Sequence, residues 1–150
     1  MSTPAEVRNA AVAMLARREH AARELCTKLI QKGWPVEQVS AVVAELAADG
    51  LQSDGRFTEA FIRSAIARGH GLVRIRAALR ERGVDEALIG EQLAGCDADW
   101  AGQVEQVRRK RFGAALPGDP KERARQARFL QYRGFSVEQI RRALRQQDSD

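Results

Sequence analysis

The chain has 150 residues, 44% of them apolar and only 5% aromatic, with a net charge of +5 at pH 7. Much of the apolar content is alanine, which favours helices with small contact faces over sheets. No apolar run approaches the 18 residues needed to span a membrane, and no basic–apolar–small signal opens the sequence. A cytoplasmic protein is expected.

The charge is uneven along the chain. Residues 1–50 carry six Lys and Arg against six Asp and Glu, and residues 51–100 carry seven against eight. Residues 101–150 carry twelve against six, so the net positive charge resides in the last third. A basic face on a folded segment attracts polyanions or acidic protein surfaces. The plainer reading is a solvated helix face.

One hairpin is used three times. Aligned on its glycine, the pattern runs Leu29–Gly33–Val39–Val43, then Leu79–Gly83–Ile89–Leu93, then Leu130–Gly134–Ile140–Leu144. The glycines are 50 and 51 residues apart. A fixed period near one third of the chain predicts three copies of one supersecondary unit. The expected modules cover residues 5–50, 53–95 and 97–147.

In the first module Val7, Ala10, Ala11, Met14 and Leu15 are spaced as one face of a helix. A second helix places Ala22, Leu25, Cys26 and Leu29 inward and ends at Gly33, a left-handed cap. Pro35 is expected at the first position of a third helix that buries Val36, Val39, Val43 and Leu46. Leu51–Gln52–Ser53 reads as a bare linker. Ser53 or Asp54 then caps a helix carrying Phe57, Phe61, Ile62 and Ala65. Gly69–His70–Gly71 breaks that helix. The next helix has Leu72, Ile75, Ala78 and Leu79 inside, with Arg76 and Arg80 outside, and the last of this module follows Asp85.

The third module starts near Asp97–Ala98–Asp99 and has Trp100, Val104 and Val107 as its inner stripe. Arg108–Arg109–Lys110–Arg111 reads as a cationic last turn. Residues 113–120 form the longest irregular stretch and are expected to be flexible. Asp119–Pro120–Lys121–Glu122 is a strong helix start, and Ser136 with Gln139 predicts a capping box. The final helix should carry a Val137–Ile140–Leu144 stripe, with fraying after Gln147 at Asp148–Ser149–Asp150. The expected fold is all-α, an elongated array of three tandem three-helix repeats. Three short-linked modules in a row would span roughly 60–70 Å.

No phosphate-loop or dinucleotide motif is present, and His20 and His70 belong to no metal-spaced cluster. Cys26 and Cys96 lie far apart without a CxxC neighbour and read as free thiols. No catalytic residues, metal or cofactor are expected. The basic face is what remains. Lys121, Arg125, Arg128 and Tyr132 fall within one sector of a helical wheel, opposite Leu130, and Arg141 and Arg145 flank the last stripe with Arg142 beyond. Guanidiniums beside an aromatic ring can grip phosphate, carboxylate or exposed bases. The competing reading makes Tyr132 partly core and pairs the arginines with Glu122 and Glu138.

Three stretches together resemble the bacterial RecX family. Leu15–Ala16–Arg17–Arg18–Glu19–His20, with Glu24–Leu25 and Lys28–Leu29, is similar to its opening motif. Asp54–Gly55–Arg56–Phe57 resembles the start of its second repeat, and Tyr132–Arg133–Gly134–Phe135 its C-terminal hairpin. Ala21 departs from the pattern, standing where many relatives have Ser, so the second helix is expected to lack a good cap. Residues 95–118 match poorly. The resemblance implies a monomeric modulator of the RecA recombinase, most often an inhibitor, that binds along the RecA–DNA filament and regulates recombination, DNA repair and the SOS response. The residues assigned to filament or DNA contact are Lys121, Arg125, Arg128, Tyr132, Arg133, Arg141, Arg142 and Arg145, with Arg76 and Arg80. Single- or double-stranded DNA is the further partner. The alternative is a direct DNA reader of helix-turn-helix type, with Arg141, Arg142 and Arg145 in the major groove. Against it, the equivalent helices of the other modules carry Glu37 and Glu45, or Glu86 and Glu91.

Overall fold

The computed structural model describes residues 3–145. Among the described residues nine helices follow one another with no strand: α1 (Pro4–Arg17), α2 (Ala22–Gln31), α3 (Val36–Ala48), α4 (Asp54–Ala67), α5 (Leu72–Glu81), α6 (Glu86–Gly95), α7 (Trp100–Phe112), α8 (Pro120–Tyr132) and α9 (Val137–Leu144). The fraying expected after Gln147, at Asp148–Ser149–Asp150, lies outside the described residues, as does the third module's expected end at 147.

The repeat signature is the core. Leu29, Leu79 and Leu130, four residues before each glycine, are fully buried. Val39, Ile89 and Ile140 are buried six after it, and Val43, Leu93 and Leu144 ten after it. Gly33, Gly83 and Gly134 take φ of 105°, 79° and 97°. A Cβ is strained in that region, so glycine can turn the chain where α2, α5 and α8 end.

Two expected core positions are exposed. Val36 and Val137 are 54% and 63% accessible. Pro35 is the N-cap of α3, with ψ of 144°, and not its first residue. Val36 and Val137 therefore each follow a cap directly and face solvent, and the apolar stripe begins three residues later. Val42 joins the core of α3 instead.

The chain divides into two compact units, Met1–Phe61 with Leu79–Ala94, and Ile62–Ala78 with Gly95–Asp150. The middle repeat is thus shared between them. In the first unit Val7 and Ala11 of α1, Leu25 and Leu29 of α2, and Val39, Val42, Val43 and Leu46 of α3 form one cluster. Each fully buried aliphatic side chain contributes about 1.5–3 kcal/mol.

The start of α4 is fastened to this cluster by polar contacts. Ser53 Oγ accepts the Arg56 N–H at 3.1 Å and caps α4. With that cap in place Asp54 reaches back along the chain, where its Oδ1 accepts the Ala22 N–H at 2.8 Å and the Gln52 amide at 2.9 Å. Ala21 supplies no side-chain cap to α2, as its sequence predicts. Asp54 instead satisfies the N–H of Ala22, the first residue of α2. Gln52 is buried and also donates to the His20 carbonyl at 3.1 Å, so the 51–53 stretch is a staple and not a bare linker. Arg56 donates to Glu19 at 3.0 Å and to the Gly50 carbonyl at 2.7 Å.

The second unit centres on Val104, Leu130, Phe135, Ile140 and Leu144. Asp119 accepts the Glu122 N–H at 2.7 Å, and Ser136 and Gln139 form the expected capping box. Arg108 departs from expectation. It is fully buried, and it donates to Glu105 at 2.8 Å and to the carbonyls of Gly113, Ala114 and Ala115 at 3.4, 3.2 and 3.2 Å. The stretch after α7, expected to be flexible, is pinned by this one guanidinium.

The glycines of Gly69–His70–Gly71 do more than break a helix. The Gly71 and Val73 N–H groups, which open α5, donate to the Arg133 and Gly134 carbonyls at 2.8 and 2.9 Å. A Cβ on Gly71 would lie 2.6 Å from the Gly134 backbone, so only glycine permits this approach.

Candidate functional site

The basic residues singled out by sequence fall into distinct environments. On α8, Lys121, Arg125 and Arg128 are exposed, and Tyr132 is 78% accessible. The reading of Tyr132 as partly core is excluded. Lys121 and Arg128 make no ion pair with the described residues. Arg125 donates to Glu122 at 3.0 and 3.1 Å and lies 5.1 Å from the centre of the Phe112 ring. That hydrogen bond holds the Glu122 carboxyl below its usual range. The pair is solvent-exposed, so an incoming anion can displace it at little cost.

On α9, Arg141 is exposed and unpaired among the described residues, and Arg142 reaches Glu138 at 3.3 Å. Arg145, just after α9, is exposed. Arg133 is half-buried, donates to the Arg68 carbonyl at 3.1 Å and lies over Phe129 at 5.2 Å. Arg76 is half-buried on α5. Arg80 belongs to the first unit, where it grips Glu86 through two hydrogen bonds of 2.6 and 2.8 Å.

The structure adds residues that the sequence pattern alone does not single out. The Arg74 guanidinium lies 5.7 Å from the centre of the Tyr132 ring. Phe112 and Phe129 meet edge to face at 5.3 Å, and Arg111 lies over both rings. Alternation of Arg with Phe or Tyr along 111–112, 128–129 and 132–133 is the signal that could have found them. Aromatic and guanidinium groups interleaved this way offer phosphates a donor and bases a stacking face. Burial, reinforced by Arg74, Arg68 and Arg133, holds His70 below the usual imidazole range.

Among the described residues no cluster of three His, Cys, Asp or Glu could hold a metal ion, and no helix is long and apolar enough to cross a membrane. Cys26 and Cys96 are not joined in a disulfide.

Comparison with known proteins matches all three repeats in order: the RecX first three-helix domain at residues 8–46, the second at 53–93 and the third at 102–144. A regulatory protein RecX of Halorhodospira halophila is 48% identical over 144 residues, 96% of this chain and 89% of the relative. The chain belongs to the RecX family. Its Pseudomonas entomophila relative, also a regulatory protein RecX, is 44% identical over 99% of this chain and 96% of its own. The crystal structure of RecX from Lactobacillus salivarius superposes with a TM-score of 0.77 at 17% identity and covers 94% of each chain. A second crystal structure, of a regulatory protein RecX, gives 0.78 at 20% identity over 94% of this chain and 72% of that one. These two likenesses are of fold. The family assignment rests on the sequence matches, and it makes this chain a member of a family of regulatory proteins.

Proposed function

We propose that this chain modulates a RecA recombinase in the cytoplasm, binding as a monomer along the RecA–DNA filament and most often inhibiting it. Filament assembly, ATP hydrolysis and strand exchange would change together, and with them recombination, DNA repair and the SOS response. The observation that carries this reading is the α8 face, where Lys121, Arg128 and Tyr132 stand exposed with no carboxylate partner among the described residues. Arg141 and Arg145 of the last helical hairpin, with Arg125 and Arg142 releasable from weak surface pairs, extend the supply of donors. Repeated modules add to the reading. Several weak contacts to successive filament subunits act together by effective concentration, which free RecA cannot offer.

Co-sedimentation with RecA on single-stranded DNA in the presence of ATP tests the proposal. Wild type should pellet with filaments and inhibit RecA ATP hydrolysis. The Lys121→Glu/Arg128→Glu variant should lose both by about tenfold or more while keeping its helical circular dichroism. Tight binding to bare duplex, with a salt slope near −0.9 per phosphate contact and no change on adding filaments, would replace this reading with direct DNA binding.

A further inference from the structure

A cleft of about 540 Å³ opens in the second unit beside the α8 face. Its walls are the end of α4, the outer side of α7, and the Phe129–Arg133 end of α8. Four cations line it: Arg68, Lys110, Arg111 and Arg133. Gln103 and Gln106 add neutral amides, and no carboxylate lines the cleft.

Some arginines of the unit have acids nearby: Arg108 and Arg109 share Glu105, Arg125 has Glu122, and Arg142 has Glu138. None of the four cleft cations has such a partner among the described residues. Arg111 and Arg133 both pack on the Phe129 ring, 5.6 and 5.2 Å from its centre. An anion in the cleft is attracted by both charges. Arg133 uses one Nη1 donor on the Arg68 carbonyl and keeps others for a ligand. Gly69, with φ of 82°, turns the chain at the end of α4, and a Cβ there would stand 3.2 Å from Val107.

We propose that this cleft binds the phosphate groups of a nucleotide. Arg111, Arg133 and Lys110 supply charge-assisted donors, as bidentate guanidiniums and a point charge do for phosphate elsewhere. Ile66, Ala67 and Val107 give the sugar or base an apolar wall. The volume lies within the range of about 300–1,000 Å³ typical of small-ligand sites, which suits one nucleotide. A free nucleoside triphosphate and one unit of a single strand present the same chemistry. The process is binding alone, with no bond made or broken.

The test uses the full chain without RecA, so its result does not depend on the filament reading. ATP and an oligodeoxythymidine lacking terminal phosphates are titrated separately by calorimetry. Wild type should bind at least one of them saturably: ATP alone identifies a free nucleotide as the source, and the oligomer alone a strand. Gln106→Glu/Lys110→Glu, at two exposed positions, should weaken that binding by about tenfold or more. Lys32→Glu, a lysine reversal placed on the first module, should stay within about twofold. In wild type the backbone amides of Gly69 and Val107 should shift in NMR spectra with the same saturation curve. No saturable binding of either ligand at millimolar concentration overturns the proposal. So does equal affinity in the double variant, or amide shifts that leave Gly69 and Val107 untouched.

Discussion

The Asp54 carboxylate accepts the Ala22 backbone N–H at 2.8 Å, so the second repeat caps a helix of the first. Thirty-two residues separate the two groups. Asp54→Ala should cost about 0.5–2 kcal/mol, the range for a lost helix N-terminal acceptor. Asp54→Asn, which keeps an acceptor for the Ala22 N–H, should lose less. Urea melts of the three proteins measure this, and equal losses in the two variants would contradict it.

Leu79 and Leu130 occupy the same repeat position and are both fully buried. Either change to Ala should cost about 2–5 kcal/mol by removing buried methyl groups and leaving a cavity. A loss below about 1 kcal/mol in denaturant melting would mean that the surroundings collapse onto the gap.

Glycines of this chain should respond to alanine in opposite directions. Gly71→Ala drives a Cβ into the Gly134 backbone at 2.6 Å and should cost about 1–3 kcal/mol. Gly90, inside α6, has open space where its Cβ would stand. Gly90→Ala should stabilise by about 0.5–1 kcal/mol, because the unfolded chain loses freedom and the helix loses nothing. Thermal melts of the two variants should therefore move apart.

The fold was legible where one residue type recurs for one physical reason. Leucine four before a left-handed glycine, and a β-branched residue six after it, define a hairpin core that no other spacing would bury. Val36 and Val137 misled because hydrophobicity was read without the cap. The middle repeat held the correction, since Glu86 occupies the same place, three after the glycine, and begins α6. Arg108 misled for the opposite reason. It sits among three exposed cations, yet its spacing of four from Val104 points it inward. Of the candidate site, the α8 sector was visible on a helical wheel. Its pairing with Arg74 was not, because α5 lies far away in sequence.

Glu105 gives a pH-dependent prediction. A hydrogen bond from Arg108, and then one from Arg109, holds its carboxyl below the usual range despite partial burial. A depressed carboxyl value stabilises the fold above the unfolded value of about 4.3 and loses that contribution as pH falls through the folded value. Glu105→Gln should cost about 1.5–3 kcal/mol at pH 7, the range for a hydrogen bond to a charged group. At pH 3 the gap from wild type should narrow. A gap that stays constant between these pH values would show that the charge of Glu105 does not matter.

The seating of α5 on the Arg133–Gly134 turn sets an order of synthesis. During translation the residues of α5 leave the ribosome some 60 residues before the carbonyls that receive the Gly71 and Val73 N–H groups. Until residue 134 has emerged, the first turn of α5 has only water for those donors. The middle of the nascent chain is thus completed last, by its own C-terminal hairpin, and a chain halted short of that hairpin would hold an unfinished second repeat.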